Sequence, residues 1–153
     1  MAKRESCRRA DTPWLCIPVD RSKCQRGKQK KMLECISSDI NELGGGCEII
    51  ILGDMNAHIE DMDGYTDATG NMMLDMCEMH DLVVCNSTEK CEGHITWEVG
   101  SLQSTIDYAL MSHRMHDRLK VMNIDEYDSR SLVSDHKHIK VSFRREMKVG
   151  RRQ

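Results

Sequence analysis

The sequence predicts an α/β domain, and three observations carry that reading. A helical stretch with Met32, Leu33, Ile36, Ile40 and Leu43 on one face runs up to the glycines at 44–46. CEIIILGD, 47–54, then follows as a continuous apolar run of the kind buried on both faces of a sheet. Beyond Asn86 come four short strand-like segments with few helical signals: HITWEV at 94–99, STIDYALMS at 104–112, VMNIDEY at 121–127 and HIKVSF at 138–143. Alternating helix and strand, followed by strands that form hairpins, make one layered sheet assembly with helices packed outside it.

Taken in order, residues 1–11, MAKRESCRRAD, are polar and aperiodic and read as a disordered leader. Residues 12–145 read as the domain and 146–153 as a tail. WLCIPV, 14–19, is a first strand that ends at Pro18, because proline has no amide to give to a ladder. Arg21, Lys23, Arg26, Lys28, Lys30 and Lys31 form a basic cluster that reads as the solvated start of the helix. The glycines at 44–46 cap that helix, and the next strand ends at Gly53. A polar loop from His58 to Gly70 leads to a short helix marked by Met73, Leu74 and Cys77, then to a compact strand, LVVCN, at 82–86. No internal repeat and no low-complexity linker divides the chain.

Composition narrows the functional classes. The 153 residues are 39% hydrophobic and 31% charged, with no apolar run near the roughly 20 residues a bilayer span requires. Membrane insertion is not expected, and the charged first residues lack the order of a secretory signal, so an intracellular chain is expected, with the nucleus as one compartment. A net charge of -3 gives no global attraction to nucleic acid, so any phosphate-binding surface must be built locally. The eight cysteines include no pair two to four residues apart, which argues against a structural zinc site and for free thiols acting as small buried apolar groups. Twelve methionines with 4% aromatics predict a core filled by flexible side chains.

Four positions in three segments have the residue types of a phosphate-directed site, and a fifth has that of a metal ligand. Asp54 and Asn56 follow a buried strand at its carboxyl end, where α/β sheets place ligands, and their alternation would point both side chains the same way; a polar turn is the plainer alternative. Asp107 sits between Ile106 and Tyr108 in an otherwise apolar strand. There it is either a buried carboxylate needing a partner such as a protonated histidine, or an outward-facing residue. Asp135 and His136 adjoin the last strand: Asp135 offers a hard oxygen ligand of the kind Mg²⁺ prefers, and His136 a hydrogen bond to a phosphate oxygen. A serine-capped loop is the alternative there. His58, His94, His113, His116 and His138 read as surface or packing histidines.

With EIIILGDMNAHI, GHITWEVGSLQSTIDYALMS and SDHKHIKV in this order, the chain resembles the endonuclease/exonuclease/phosphatase superfamily. More narrowly it is similar to the endonuclease domains of non-LTR retrotransposons of the RTE/LINE type and to craniofacial-development-protein-2-like sequences. The resemblance spans roughly residues 12 to 145. It implies a partial four-layer α/β sandwich, two sheets with helices on the outer faces, that hydrolyses phosphodiester bonds of DNA with Mg²⁺, or Mn²⁺ in its place. It also implies roles. Asp54 would align or deprotonate the attacking water, Asn56 would hold that water and a phosphate oxygen, Asp107 would orient His136, and Asp135 would help hold the metal. His136, kept protonated, would stabilise charge on the phosphoryl oxygens. Trp97, after Thr96, is expected in the core.

The departures from the family are equally specific. Its amino-terminal half supplies an asparagine and a metal-binding glutamate on strands ahead of WLCIPV, so a truncated domain with part of its metal site lost is expected. Cys16 stands where many relatives carry a tyrosine that contacts phosphate, and a thiol is a weak hydrogen-bond partner. The functional expectation is Mg²⁺-dependent DNA hydrolysis impaired by that loss. The alternatives are an inactive retrotransposon-derived fragment that retains nucleic-acid binding and, at a distance, the phosphoinositide or sphingomyelin substrates of other members.

Overall fold

The structure, a computed structural model, describes residues 5–7, 14–19, 28–43, 47–128 and 134–144. Its elements are β1 (Glu5–Cys7), β2 (Trp14–Val19), α1 (Lys28–Leu43), β3 (Glu48–Asp54), α2 (Glu60–Asp63), α3 (Ala68–Met79) and β4 (Leu82–Val84). A single 3-10 turn at Cys85–Ser87 leads to β5 (Cys91–Glu92), β6 (Trp97–Val99), β7 (Leu102–Ser104), β8 (Asp107–Ser112), α4 (His113–Arg118), β9 (Leu119–Ile124) and β10 (Ile139–Phe143).

Five strands form the main sheet in the order β1-β2-β3-β8-β4, and three form a second in the order β10-β9-β5. Strand β3 is central, parallel to β2 and antiparallel to β8, with Asp54 directly opposite Asp107. The apolar run reads as continuous because alternate residues feed different cores. Ile51 of β3 and Tyr108 and Leu110 of β8 face a cluster with Leu33, Ile36 and Ile40 of α1 and Met73, Met76 and Cys77 of α3. Ile50, Ala109 and Met111 face the other way, onto Leu119, Met122 and Ile124 of β9. Helices, main sheet and second sheet are thus stacked in layers, the α/β sandwich the sequence predicts.

Several local expectations need correction. Leu43 is exposed at the end of α1, leaving Leu33, Ile36 and Ile40 as the buried stripe. The segment 58–70 is not all loop: it contains α2, and α3 begins at Ala68 because the Asp67 carboxylate accepts the Gly70 amide at 2.6 Å, an N-cap. A side chain on Gly70 would meet the His58 carbonyl at 1.9 Å, so this close approach requires glycine. STIDYALMS is broken at Thr105 and Ile106 into the end of β7 and the start of β8. Helix α4 interrupts the strand-rich half. Within the segment expected to be a leader, Glu5–Cys7 pair with β2 and form the edge strand of the main sheet. The caps at 44–46, the tail from 146 and basic residues 21 to 26 lie outside the described residues; Lys30 pairs with Glu34 along α1 at 3.9 Å. Cys77 and Cys85 are buried thiols, their pKa values pushed up to about 12 chiefly by burial. Among the described residues no helix is long and apolar enough to cross a membrane.

Candidate active site

The site forms where β3 and β8 end side by side. Gly53, at φ 148°, adopts a backbone conformation that side chains disfavour and delivers Asp54 to the strand's last position. Asn56 then takes φ 46°, a left-handed turn that asparagine tolerates better than most residues, and its amide donates to Asp54 Oδ1 at 2.9 Å. The alternation expected for Asp54 and Asn56 therefore does not hold. The strand ends at the first of them, and a turn closed on the Asp54 carboxylate brings the second beside it. Met55 between them is fully buried and donates to the Ile106 carbonyl, which fastens this turn to the approach of β8.

Asp107 opens β8, half-buried, and its Oδ2 accepts from His136 Nδ1 at 2.8 Å. On the other side of the ring His136 Nε2 lies 3.9 Å from Asp54 Oδ2, too far for a direct hydrogen bond and close enough for one atom to engage both. Burial raises the pKa of Asp107. The His136 hydrogen bond and charge and a hydrogen bond from Thr96 oppose that rise, while the charge of Asp54 adds to it. Asp54, Asp107 and His136 each offer one ligand atom, all within 4.8 Å of one another, so this group can hold a metal ion. Two of the three donors are carboxylates and the third an imidazole, a mixed set of the kind that binds divalent metal ions.

Asp135 is exposed, and its carboxylate accepts from Trp97 Nε1 at 3.0 Å. Trp97 is accordingly not a core residue as expected. It is half-buried on β6, it forms a single β-bridge with His136, and its indole fixes the carboxylate next to that histidine. His136 is further held by its amide donating to Ser134 Oγ at 3.1 Å.

Two buried polar residues, Thr96 and Asn86, complete the frame. Thr96 is fully buried; its Oγ1 accepts from the Ile106 and Asp107 amides at 2.9 and 3.0 Å. Asn86 Nδ2 donates to the Asp107 carbonyl at 3.1 Å, and its Oδ1 accepts the Ala109 amide at 3.0 Å. The available signal was a polar residue in an apolar strand segment, since such groups persist when hydrogen-bonded. Asn86→Ala leaves both β8 groups without these partners. It is expected to destabilise the protein by about 1–3 kcal/mol per group left unpaired, read as a lower urea midpoint at unchanged m-value.

A family model described as endonuclease-reverse transcriptase matches residues 17–140. No curated protein matches the sequence. Among solved structures, the endonuclease domain of TRAS1, a telomere-specific non-LTR retrotransposon, aligns with a TM-score of 0.67 at 21% identity, covering 92% of this chain and 62% of that one. The 3'-5' exonuclease NExo from Neisseria meningitidis aligns at 0.63 and 18% identity, covering 86% and 61%. An endonuclease/exonuclease/phosphatase family protein from Leptotrichia buccalis aligns at 0.61 and 18%, covering 92% and 52%. At these identities the likeness is one of fold, and the chain spans 52 to 62% of these structures' own lengths.

Proposed function

Because the chain belongs to the endonuclease-reverse transcriptase family, we propose that it hydrolyses phosphodiester bonds of DNA at the Asp54, Asp107 and His136 centre, assisted by Mg²⁺ or Mn²⁺. The observation that carries this reading is the line Asp107 Oδ2, His136, Asp54 Oδ2, with separations of 2.8 and 3.9 Å about one imidazole. Asp107 fixes the ring through Nδ1. In the imidazolium both ring nitrogens are donors, so Nε2, on the ring edge away from Asp107, can donate to a phosphoryl oxygen of the substrate. Asp54 takes the proton of the attacking water, and Asn56, turned onto Asp54, holds that water and a phosphate oxygen. Asp54 and Asp135, the latter aligned by the Trp97 indole, are the residues that would hold the ion. A bound divalent ion would supply charge neutralisation at the phosphate.

DNA is favoured as substrate by the family and by one neighbouring structure, a 3' phosphatase bound to a product DNA hairpin. Under a second reading the centre engages nucleic acid without cutting it. A plasmid assay separates them. The purified, folded chain is expected to convert supercoiled plasmid to the nicked form in Mg²⁺ and to stop when the ion is chelated. Salt-sensitive binding without nicking would favour the second reading instead.

A further inference from the structure

The segment that carries His136 has little support of its own. Ser134 and Asp135 are exposed, and β10 begins only at Ile139. Its backbone is held chiefly by β6: the Glu98 amide donates to the Asp135 carbonyl at 2.9 Å and the Lys137 amide to the Thr96 carbonyl at 2.7 Å. Yet β6 and β7 form a sheet of only two three-residue strands, an arrangement marginal in isolation. Besides this ladder and the Asp107 hydrogen bond to the ring, one further element steadies the segment.

That element is the side chain of Lys137, the residue after His136. Its ammonium lies 2.8 Å from Glu98 Oε2 on β6 and 2.7 Å from Asp128 Oδ2 in the turn after β9. Both are charge-assisted distances, and only 6% of the lysine side chain is exposed. Glu98 in turn accepts from Gln103 Nε2 of β7 at 3.0 Å. Asp128 is held at φ 51° by a turn in which its amide donates to the Asp125 carbonyl, and the Asp125 amide donates to the His138 carbonyl. One ammonium therefore joins three separate pieces of chain at the residue next to His136. The hydrogen bonds Lys137 donates to Asp128 and Glu98 raise the lysine's pKa, and its bond to Glu98 lowers that of the glutamate.

We propose that Lys137 is a positioning residue: by clamping β6 and the 125–128 turn to the His136 segment, it holds His136 Nε2 in register with Asp54. The inference rests on the phosphodiesterase reading only for what the alignment achieves. The alignment itself is a property of the chain. A misplacement of about 1 Å can lower a rate on the order of 10²-fold, so a clamp with no substrate contact acts on turnover rather than on binding.

The test uses the whole chain and two readouts. Lys137→Met is expected to lower kcat for nicking about 10- to 10²-fold with KM little changed, and Lys137→Arg, which keeps a charged donor, to recover much of the loss. In heteronuclear NMR of the same proteins without DNA, Lys137→Met is expected to shift or broaden the His136 ring signals while leaving the Leu33 and Ile51 methyls in place. Should Lys137→Met fail to fold, Glu98→Gln and Asp128→Asn each remove one of the two carboxylates, and each is expected to show the same changes in smaller degree. Unchanged His136 signals in the variants overturn the proposal, as does a loss confined to KM. A wild type that never nicks DNA, with the His136 signals still responding to Lys137→Met, would sink the phosphodiesterase reading and leave the positioning role standing.

Discussion

Replacing His136 with alanine is expected to lower the single-turnover rate of DNA nicking by about 10²–10⁴-fold, the range over which a positioned proton donor or acceptor acts. The size follows from geometry. His136 is the only described residue placed between both carboxylates, 2.8 Å from Asp107 and 3.9 Å from Asp54, so no neighbour inherits its place. The folded state should survive the change. The imidazole is 23% exposed and belongs to neither apolar cluster, whereas deleting a residue such as Ile51, at the centre of the main sheet, would cost about 2–5 kcal/mol. Loss of rate with a retained cooperative unfolding transition is the expected pair of results. Nicking within threefold of wild type would remove His136 from the chemistry.

The second large effect belongs to Asp107→Asn, and its signs differ between activity and stability. An asparagine keeps the shape and can still accept a hydrogen bond from Nδ1, but it cannot support a charged ring, so a rate loss of about 10²–10⁴-fold is expected. Stability should move the other way or not at all. Burial is the largest influence on Asp107 and raises its pKa in the folded state above the roughly 3.9 of an unfolded aspartate. The folded protein then binds that proton more tightly than the unfolded chain does. The linked stability is fully present below the unfolded value and is lost as pH rises through the folded value. At neutral pH the wild type bears the cost of a half-buried carboxylate that the asparagine variant does not. Urea midpoints at pH 7 should therefore place Asp107→Asn level with or above wild type, and near pH 3.5 any advantage should disappear. A variant clearly less stable at pH 7, with a gap that closes as the carboxylate is protonated on acidification, would show that the carboxylate stabilises the fold through His136 by more than its burial costs.

What the sequence made legible was whatever depends on period and on residue type within one segment. The α1 stripe of Leu33, Ile36 and Ile40 and the doubly buried β3 follow from apolar spacing. Asp54 stands out as a carboxylate at the end of an apolar run and Asp107 as one inside an apolar strand segment, and the register of β3 with β8 sets them opposite one another. The less legible features depend on side chains meeting across long separations. Thr96 and Asn86 look like ordinary polar residues until their amide and carbonyl partners on β8 are known. Lys137 looks like a solvated lysine until Glu98 and Asp128 are brought to it. Asn56 was assigned the alternation of a strand that had already ended, because a left-handed turn leaves no periodic trace. Trp97, expected in the core from its place after Thr96, instead gives its indole N–H to the Asp135 carboxylate.

Plasmid nicking carried out in ¹⁸O-enriched water tests the centre most directly. If the water held at Asp54 attacks the phosphate to which His136 donates, each nick made by the wild-type chain in Mg²⁺ leaves one ¹⁸O atom in the terminal phosphate, and Asp54→Ala makes no nicks above background. Folded, ion-loaded wild type that leaves the plasmid intact, or nicks whose terminal phosphates carry no label, would contradict hydrolysis at this centre.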